Sequence, residues 1–192
     1  MSIYISYMRM LAADLSIVNI LISKINIIAA SLLLVYLTMK KFELDIVLHN
    51  KQIHISNKKI SADEYISFLK RTDLGSQYPK EDFETRIKTL VNNVPFSLIA
   101  YHEKQIVGVC FGLTDFAYWL FLSDLGVDRE YTHLGIGRTL VEQAHKLAGG
   151  EDNIIMFTMA NENAVDFYKK CGWKPSEFMK FSKIKWTEHT VS

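Results

Sequence analysis

Two stretches of the chain hold residue types at spacings that could do chemistry. The first is Asp124-Leu-Gly-Val-Asp-Arg-Glu-Tyr-Thr-His-Leu-Gly-Ile-Gly-Arg-Thr-Leu140, an apolar run joined to a helical pattern through a glycine-bearing loop. Gly135 and Gly137 let the backbone turn tightly and approach a ligand closely. The amides of Leu134, Gly135, Ile136, Gly137, Arg138 and Thr139 then point out of a helix N-terminus, a donor set suited to phosphate. An ordinary turn into a helix has the same glycines, so the loop alone leaves both readings open. A dinucleotide fingerprint does not fit, because Leu140 stands where the third glycine is needed and the preceding strand follows hairpin-like runs.

The second stretch, Asn161-Glu-Asn-Ala164-Val-Asp-Phe167-Tyr168-Lys-Lys-Cys-Gly172-Trp173, reads as a helix capped by Asn161 and stopped by Gly172. Asn161, Ala164, Phe167 and Tyr168 then share a face, an arrangement equally suited to core packing.

The elements that must hold these stretches follow from periodicity. Leu44 to His49 and Gln52 to Ser56 read as strands around an Asn50-Lys51 turn. Ser61 to Glu64 is a capping box opening a helix to about Lys70, and a second helix is predicted from near Pro79 to Asn92-Asn93. Phe96 to Tyr101, Gln105 to Leu113 and Ala117 to Val127 form a meander. A helix over Gly135 to Ala148, a short buried strand within Asn153 to Met159 and a last strand from about Phe178 to Trp186 complete the order.

Composition bounds the function. The chain has 192 residues, 49% hydrophobic and 22% charged, enough to bury a core without metal or disulfide support. Cys110 and Cys171 lie in no metal-ligand or Cys-x-x-Cys pattern and read as reduced residues of a cytoplasmic protein, so no metal cofactor is expected. Residues 1–41 carry a net +3, while 42–192 hold 18 basic against 20 acidic side chains. A mildly acidic body without a basic stripe argues against nucleic acid as a partner.

Residues 1–41 stand apart from the body at 42–192. Between Asp14 and Lys40, 18 of 25 residues are apolar, but Lys24 and the Ser16, Asn19, Ser23, Asn26 face interrupt the run. Residues 15–39 therefore read as an apolar helix that is a membrane anchor, an interfacial helix or a helix packed on a partner. Lys40, Lys41 and Lys51 after it would keep the body cytoplasmic if it spans. This segment and the edge of an open sheet also leave a homodimer open.

Together the glycine loop and the Asn-x-x-Ala-x-x-Phe-Tyr-x-x-x-Gly-Trp stretch resemble the GCN5-related N-acetyltransferase (GNAT) family over roughly residues 44–186. The resemblance implies an α/β fold with a mixed, largely antiparallel central sheet flanked by helices, to which the N-terminal apolar helix is an addition. It further implies acetyl-CoA as acyl donor and direct transfer of the acetyl group to a primary amine.

Residue by residue, Leu125, Gly126 and Val127 would pair with the pantetheine arm, and Leu134 to Thr139 would hold the pyrophosphate, with Arg138 adding charge. Asn161 would reach the cofactor, and Tyr168 would stand near the thioester sulfur as proton donor. An acceptor amine is mostly protonated at pH 7, so a base is needed. Asp124 is favoured for that role and Asp115 is the runner-up. Thr132 occupies the position where the family carries Arg or Gln. The acceptor is unidentified, with a small molecule favoured over a protein. The alternative is an acetyl-CoA sensor or interaction module whose acceptor site is degenerate.

Overall fold

His49 and Asn50 both take left-handed backbone angles (φ 46° and 64°), and this two-residue turn folds β1 (Glu43–Leu48) back on β2 (Lys51–Ser56). The structure, a computed structural model, describes residues 41–176. The expected N-terminal helix and the last strand near 178–186 lie outside the described residues. β3 (Phe96–His102), β4 (Gln105–Thr114) and β5 (Trp119–Val127) continue the meander, and β6 (Ile155–Thr158) adds parallel to β5. The six strands lie in chain order, antiparallel from β1 to β5. The result is the expected mixed, largely antiparallel sheet.

Helices cover both faces. On one face lie α1 (Ala62–Leu69) and α2 (Phe83–Asn93), with a 3-10 turn at Asp73–Gln77 between them. The α1 capping box forms as expected. The Glu64 amide donates to the Ser61 hydroxyl and the Ser61 amide to the Glu64 carboxylate (2.7 Å), which holds that carboxyl below its usual range. The second helix starts at Phe83 and not near Pro79, because Asp82 sits at φ 51° and a left-handed residue cannot continue a right-handed helix.

Tyr65, Phe68, Leu69, Ile87 and Val91 of this layer pack on Ile99, Val109 and Phe111 of the sheet. The opposite face carries α3 (Ile136–Ala148), whose Ile136, Leu140, Val141 and Ala144 bury against Leu98, Val107, Leu120 and Leu122. After β6, a short 3-10 turn (Glu162–Ala164) leads into α4 (Val165–Lys170), closed by Gly172 at φ 88°.

One irregularity decides where the chemistry sits. Phe111 of β4 pairs with Asp124 but the next residue, Gly112, pairs with Leu122, so Ser123 is an extra residue in β5. Such a bulge bends its strand and reverses the alternation of side chains. Leu120 and Leu122 therefore join the α3 layer, whereas Asp124, two residues on, reaches the α1/α2 layer. β6 follows β5 only from Trp119 to Leu122, and beyond the Leu122–Thr158 pair β5 runs on without it.

Candidate active site

The free edge of β5 past Leu122 provides hydrogen-bonding backbone. The Asp128 amide donates to the Val107 carbonyl (3.0 Å), which fixes the direction of the neighbouring peptides. Peptide groups alternate from side to side along a strand, so Gly126 turns towards β4 while Leu125 and Val127 turn their N–H and C=O towards the gap. The side chain of Gly126, had it one, would strike Leu74 and Phe68 at 3.1–3.2 Å, and this lets α1 and the 3-10 turn lie close on β5.

At the end of β5 the chain makes a 3-10 turn, Arg129–Tyr131, and enters α3 through the glycine loop. Gly135 supplies the left-handed conformation (φ 87°) that starts the helix. Gly137 also has a packing role that the sequence did not show. A Cβ there would meet the Phe167 ring at 3.3 Å and Val127 at 3.4 Å, so its missing side chain lets α4 and β5 close around the start of α3.

The Thr139 amide already donates to the Gly135 carbonyl (3.0 Å), as does its hydroxyl, so the donors that helix geometry leaves open are those of Ile136, Gly137 and Arg138. Arg138 is exposed and pairs with Glu142 one turn on (2.9 Å). The Thr132 hydroxyl and amide both turn back to the Arg129 carbonyl. Asn161 is exposed and precedes the 3-10 turn, but its side chain makes no capping bond; the Ala164 amide donates to its carbonyl.

Tyr168 lies on the α3 side of the gap. Its ring packs between Phe167 and Trp173, and its hydroxyl neighbours Thr158, whose own hydroxyl donates to the Leu122 carbonyl where β5 and β6 part (2.9 Å). Burial raises its pKa to about 12, so it carries its proton at neutral pH.

Asp124 lies on the other side of the gap, 8% exposed. Tyr78 donates to one carboxylate oxygen in a short hydrogen bond and Ser123 to the other (2.7 Å), while Tyr78 is itself bonded to Tyr65 (2.9 Å). Burial pushes the Asp124 pKa up, and these hydroxyl donors partly offset it. Burial and the Asp124 charge push Tyr65 and Tyr78 well above the usual phenol range. Cys110, behind both sites, is fully buried with its pKa raised to about 12, first by burial and then by Asp124, so it is no nucleophile. Asp115 accepts three backbone bonds from Ala117, Tyr118 and Trp119 (2.9–3.0 Å), which lower its pKa to about 2. Those bonds make it the organiser of the β4–β5 turn and a poor proton acceptor.

Two arginines fasten the α1 corner to the end of β5. Arg71 donates to the buried Asp128 carboxylate (2.7 Å) and to the Ile106 carbonyl (3.0 Å), and Gln105 also reaches Asp128 (3.1 Å). Arg129 donates to Asp73 and to the carbonyls of Lys70 and Thr72. This clamp sets the 3-10 turn, and with it Tyr78, over Asp124.

A strand that parts from its neighbour beside a helix N-terminus is the point at which known proteins can be compared. The sequence model of the acetyltransferase (GNAT) family matches residues 63–173. The chain belongs to that family. Among solved structures, the GNAT-family acetyltransferase of Streptococcus pneumoniae TIGR4 superposes with a TM-score of 0.53 at 16% identity, covering 69% of this chain and 99% of that one. A protein of unknown function from meticillin-resistant Staphylococcus aureus, assigned there as an acetyltransferase, gives 0.56 at 17% identity over 70% and 99%. Sequences this distant show a shared fold. No curated protein sequence matches the chain.

In this GNAT domain, Leu125 to Val127, Ile136 to Arg138 and Tyr168 gather around one gap, with Asp124 at its far side. Sequence reading missed Tyr78, Tyr65, Ser123 and Thr158. Their only signal was polarity next to apolar runs, and the bulge that brings Ser123 and Asp124 to one face has no signature in the sequence. Among the described residues no group of metal-ligating side chains occurs and no helix is long and apolar enough to cross a membrane.

Proposed function

We propose that this GNAT domain transfers the acetyl group of acetyl-CoA directly to a primary amine of a small molecule. One observation carries the reading: a protonated phenol, Tyr168, and a buried carboxylate, Asp124, stand on opposite sides of the sheet where β5 parts from β6. The donor set between them fits the cosubstrate. The outward N–H of Leu125 and the outward C=O groups of Leu125 and Val127 suit the amides of a pantetheine arm, and the open amides of Ile136, Gly137 and Arg138 suit its pyrophosphate.

When bound, acetyl-CoA supplies an activated acyl group and a thiolate leaving group. Asp124 takes the proton of the acceptor ammonium so that the amine can attack. An N–H of the β5 edge, that of Val127, stabilises the negative charge developing on the carbonyl oxygen. Tyr168 gives its proton to the departing thiolate and takes one back as the acylated nitrogen sheds its second proton, and Thr158 holds its hydroxyl at the gap; the proton on Asp124 returns to solvent. A body at 42–192 sufficient for this chemistry is part of the same reading.

A sensor that binds acetyl-CoA without turnover draws support from Asp124, both of whose oxygens are already bonded. Calorimetry with acetyl-CoA and thiol release against a panel of amines separates the two. Micromolar binding with amine-dependent release is expected, and Tyr168→Phe should lower release about 100-fold with acetyl-CoA affinity within a few-fold. Binding without release from any amine would favour the sensor, and no binding would remove the acetyl-CoA assignment.

A further inference from the structure

Asp124 is the carboxylate placed to act as a base, yet it is buried and each of its oxygens already accepts a hydroxyl. It is 8% exposed, with Tyr78 donating to one oxygen and Ser123 to the other (2.7 Å). An ionised carboxylate only accepts, so each of these hydroxyls has committed its single hydrogen to Asp124. The bond between Tyr78 and Tyr65 (2.9 Å) is then one in which Tyr65 donates, and Tyr65 is fully buried. That arm of the network leads inward.

The other arm leads out. Ser123 is exposed, and among the described residues its hydroxyl has no bond besides the one to Asp124. With its hydrogen spent on Asp124, the oxygen keeps its lone pairs for a donor arriving from outside. The bulge puts it there. As the extra residue of β5, Ser123 lies on the face of Asp124 and not on the opposite one. It is also the first residue of β5 past the last β6 pair, Leu122–Thr158, one residue or about 3.3 Å of strand beyond the carbonyl to which the Thr158 hydroxyl donates. Ser123 therefore stands at the mouth of the gap. An ammonium group has hydrogens to donate and no lone pair, which is what this oxygen lacks a partner for.

Resting on the transferase reading above, we propose that Ser123 is a catalytic residue that carries the proton of the acceptor to Asp124. The acceptor ammonium donates to Ser123 Oγ. As its N–H bond breaks and an O–H bond forms on Oγ, the original hydroxyl proton passes to the Asp124 oxygen, leaving a neutral amine, an intact serine and a carboxylic acid. After acetyl transfer the same route runs backwards with water in place of the amine, and the proton leaves to solvent. Asp124 never has to touch the acceptor, just as a base can act through one bridging water.

The test follows thiol release by the full chain at saturating acetyl-CoA with butylamine, spermidine and 2-phenylethylamine, and takes the fastest of the three into mixtures of water and heavy water. Ser123→Ala should lower kcat/KM for the amine at least about tenfold with acetyl-CoA affinity within twofold, and Ser123→Thr, which keeps a hydroxyl, should recover most of the loss. The rate should depend on deuterium fraction along a curve in the unaltered protein, where two protons move together, and along a straight line in Ser123→Ala. Unchanged turnover in Ser123→Ala would place the amine on Asp124 directly. A loss that Ser123→Thr does not recover, or the same deuterium dependence in both proteins, would assign the serine to strand geometry. Either result overturns the relay while the transferase reading stands. Acetyl-CoA binding with no release from any of the three amines would instead remove the transferase reading beneath it.

Discussion

The two sides of the gap between β5 and β6 are built from different materials. On the α3 side, backbone does most of the work: the outward peptides of Leu125 and Val127 and the first amides of α3 come from 15 consecutive residues, 125–139, with Tyr168 added from α4. On the α1/α2 side the work falls to side chains, Tyr65, Tyr78, Ser123 and Asp124, drawn from two separate elements and a loop. Backbone donors tolerate changes of side chain, because a peptide N–H is the same whatever residue bears it. A side-chain site has no such tolerance.

Four variants test this contrast. The largest effect should come from Asp124→Asn, which keeps the shape and removes the base: turnover should fall about 10²–10⁴-fold with unchanged acetyl-CoA affinity. Equal turnover in steady-state kinetics would show that a water chain or another group takes the proton.

Next is Arg71→Ala, which leaves Asp128 (1% exposed) without its cation. A loss of about 2–3 kcal/mol in urea unfolding is expected, near the lower end for a broken buried pair because Arg71 is one-third exposed. A loss below 0.5 kcal/mol would mean that Gln105 and the Glu130 amide suffice for Asp128.

On the backbone side, Gly137→Val should push α4 away from the start of α3 and weaken acetyl-CoA about tenfold, an overpacking cost of roughly 1–2 kcal/mol. Unchanged affinity in calorimetry would show that Phe167 yields freely and that the loop position is not critical.

The smallest expected change is in pH dependence. Asp124 must be ionised to act, its pKa is raised by burial, and the Tyr78 hydrogen bond lowers it. Tyr78→Phe removes that bond, so the Asp124 pKa rises and activity is lost at a higher pH as pH falls. The acidic limb of kcat/KM should therefore move to higher pH. A limb that stays in place would assign it to a different group.

The contrast also explains what could be read from the chain. The capping box at Ser61, the β3–β4–β5 meander and the glycine loop were legible because each is a local pattern whose physics closes within a few residues. Asp124 was legible as a candidate base from its place on the strand beside the loop. Its burial and hydroxyl partners were not, since Tyr78 lies 46 residues away in a loop without periodicity. Asp115 was the runner-up as base, and only the fold shows its oxygen bonded to three amides of its own turn. Gly137 was read as room for a ligand, and the fold adds that it is also room for Phe167.

The sequence by itself determined the order of elements over the described residues, the family and the glycine loop, because these rest on local propensity and on motifs contiguous in the chain. Tertiary structure decided the α1/α2 side of the gap. A single extra residue at position 123 reverses the side-chain alternation of β5 and carries Asp124 to the α1/α2 face. That outcome depends on the register between strands, a property of the pairing and not of either strand alone.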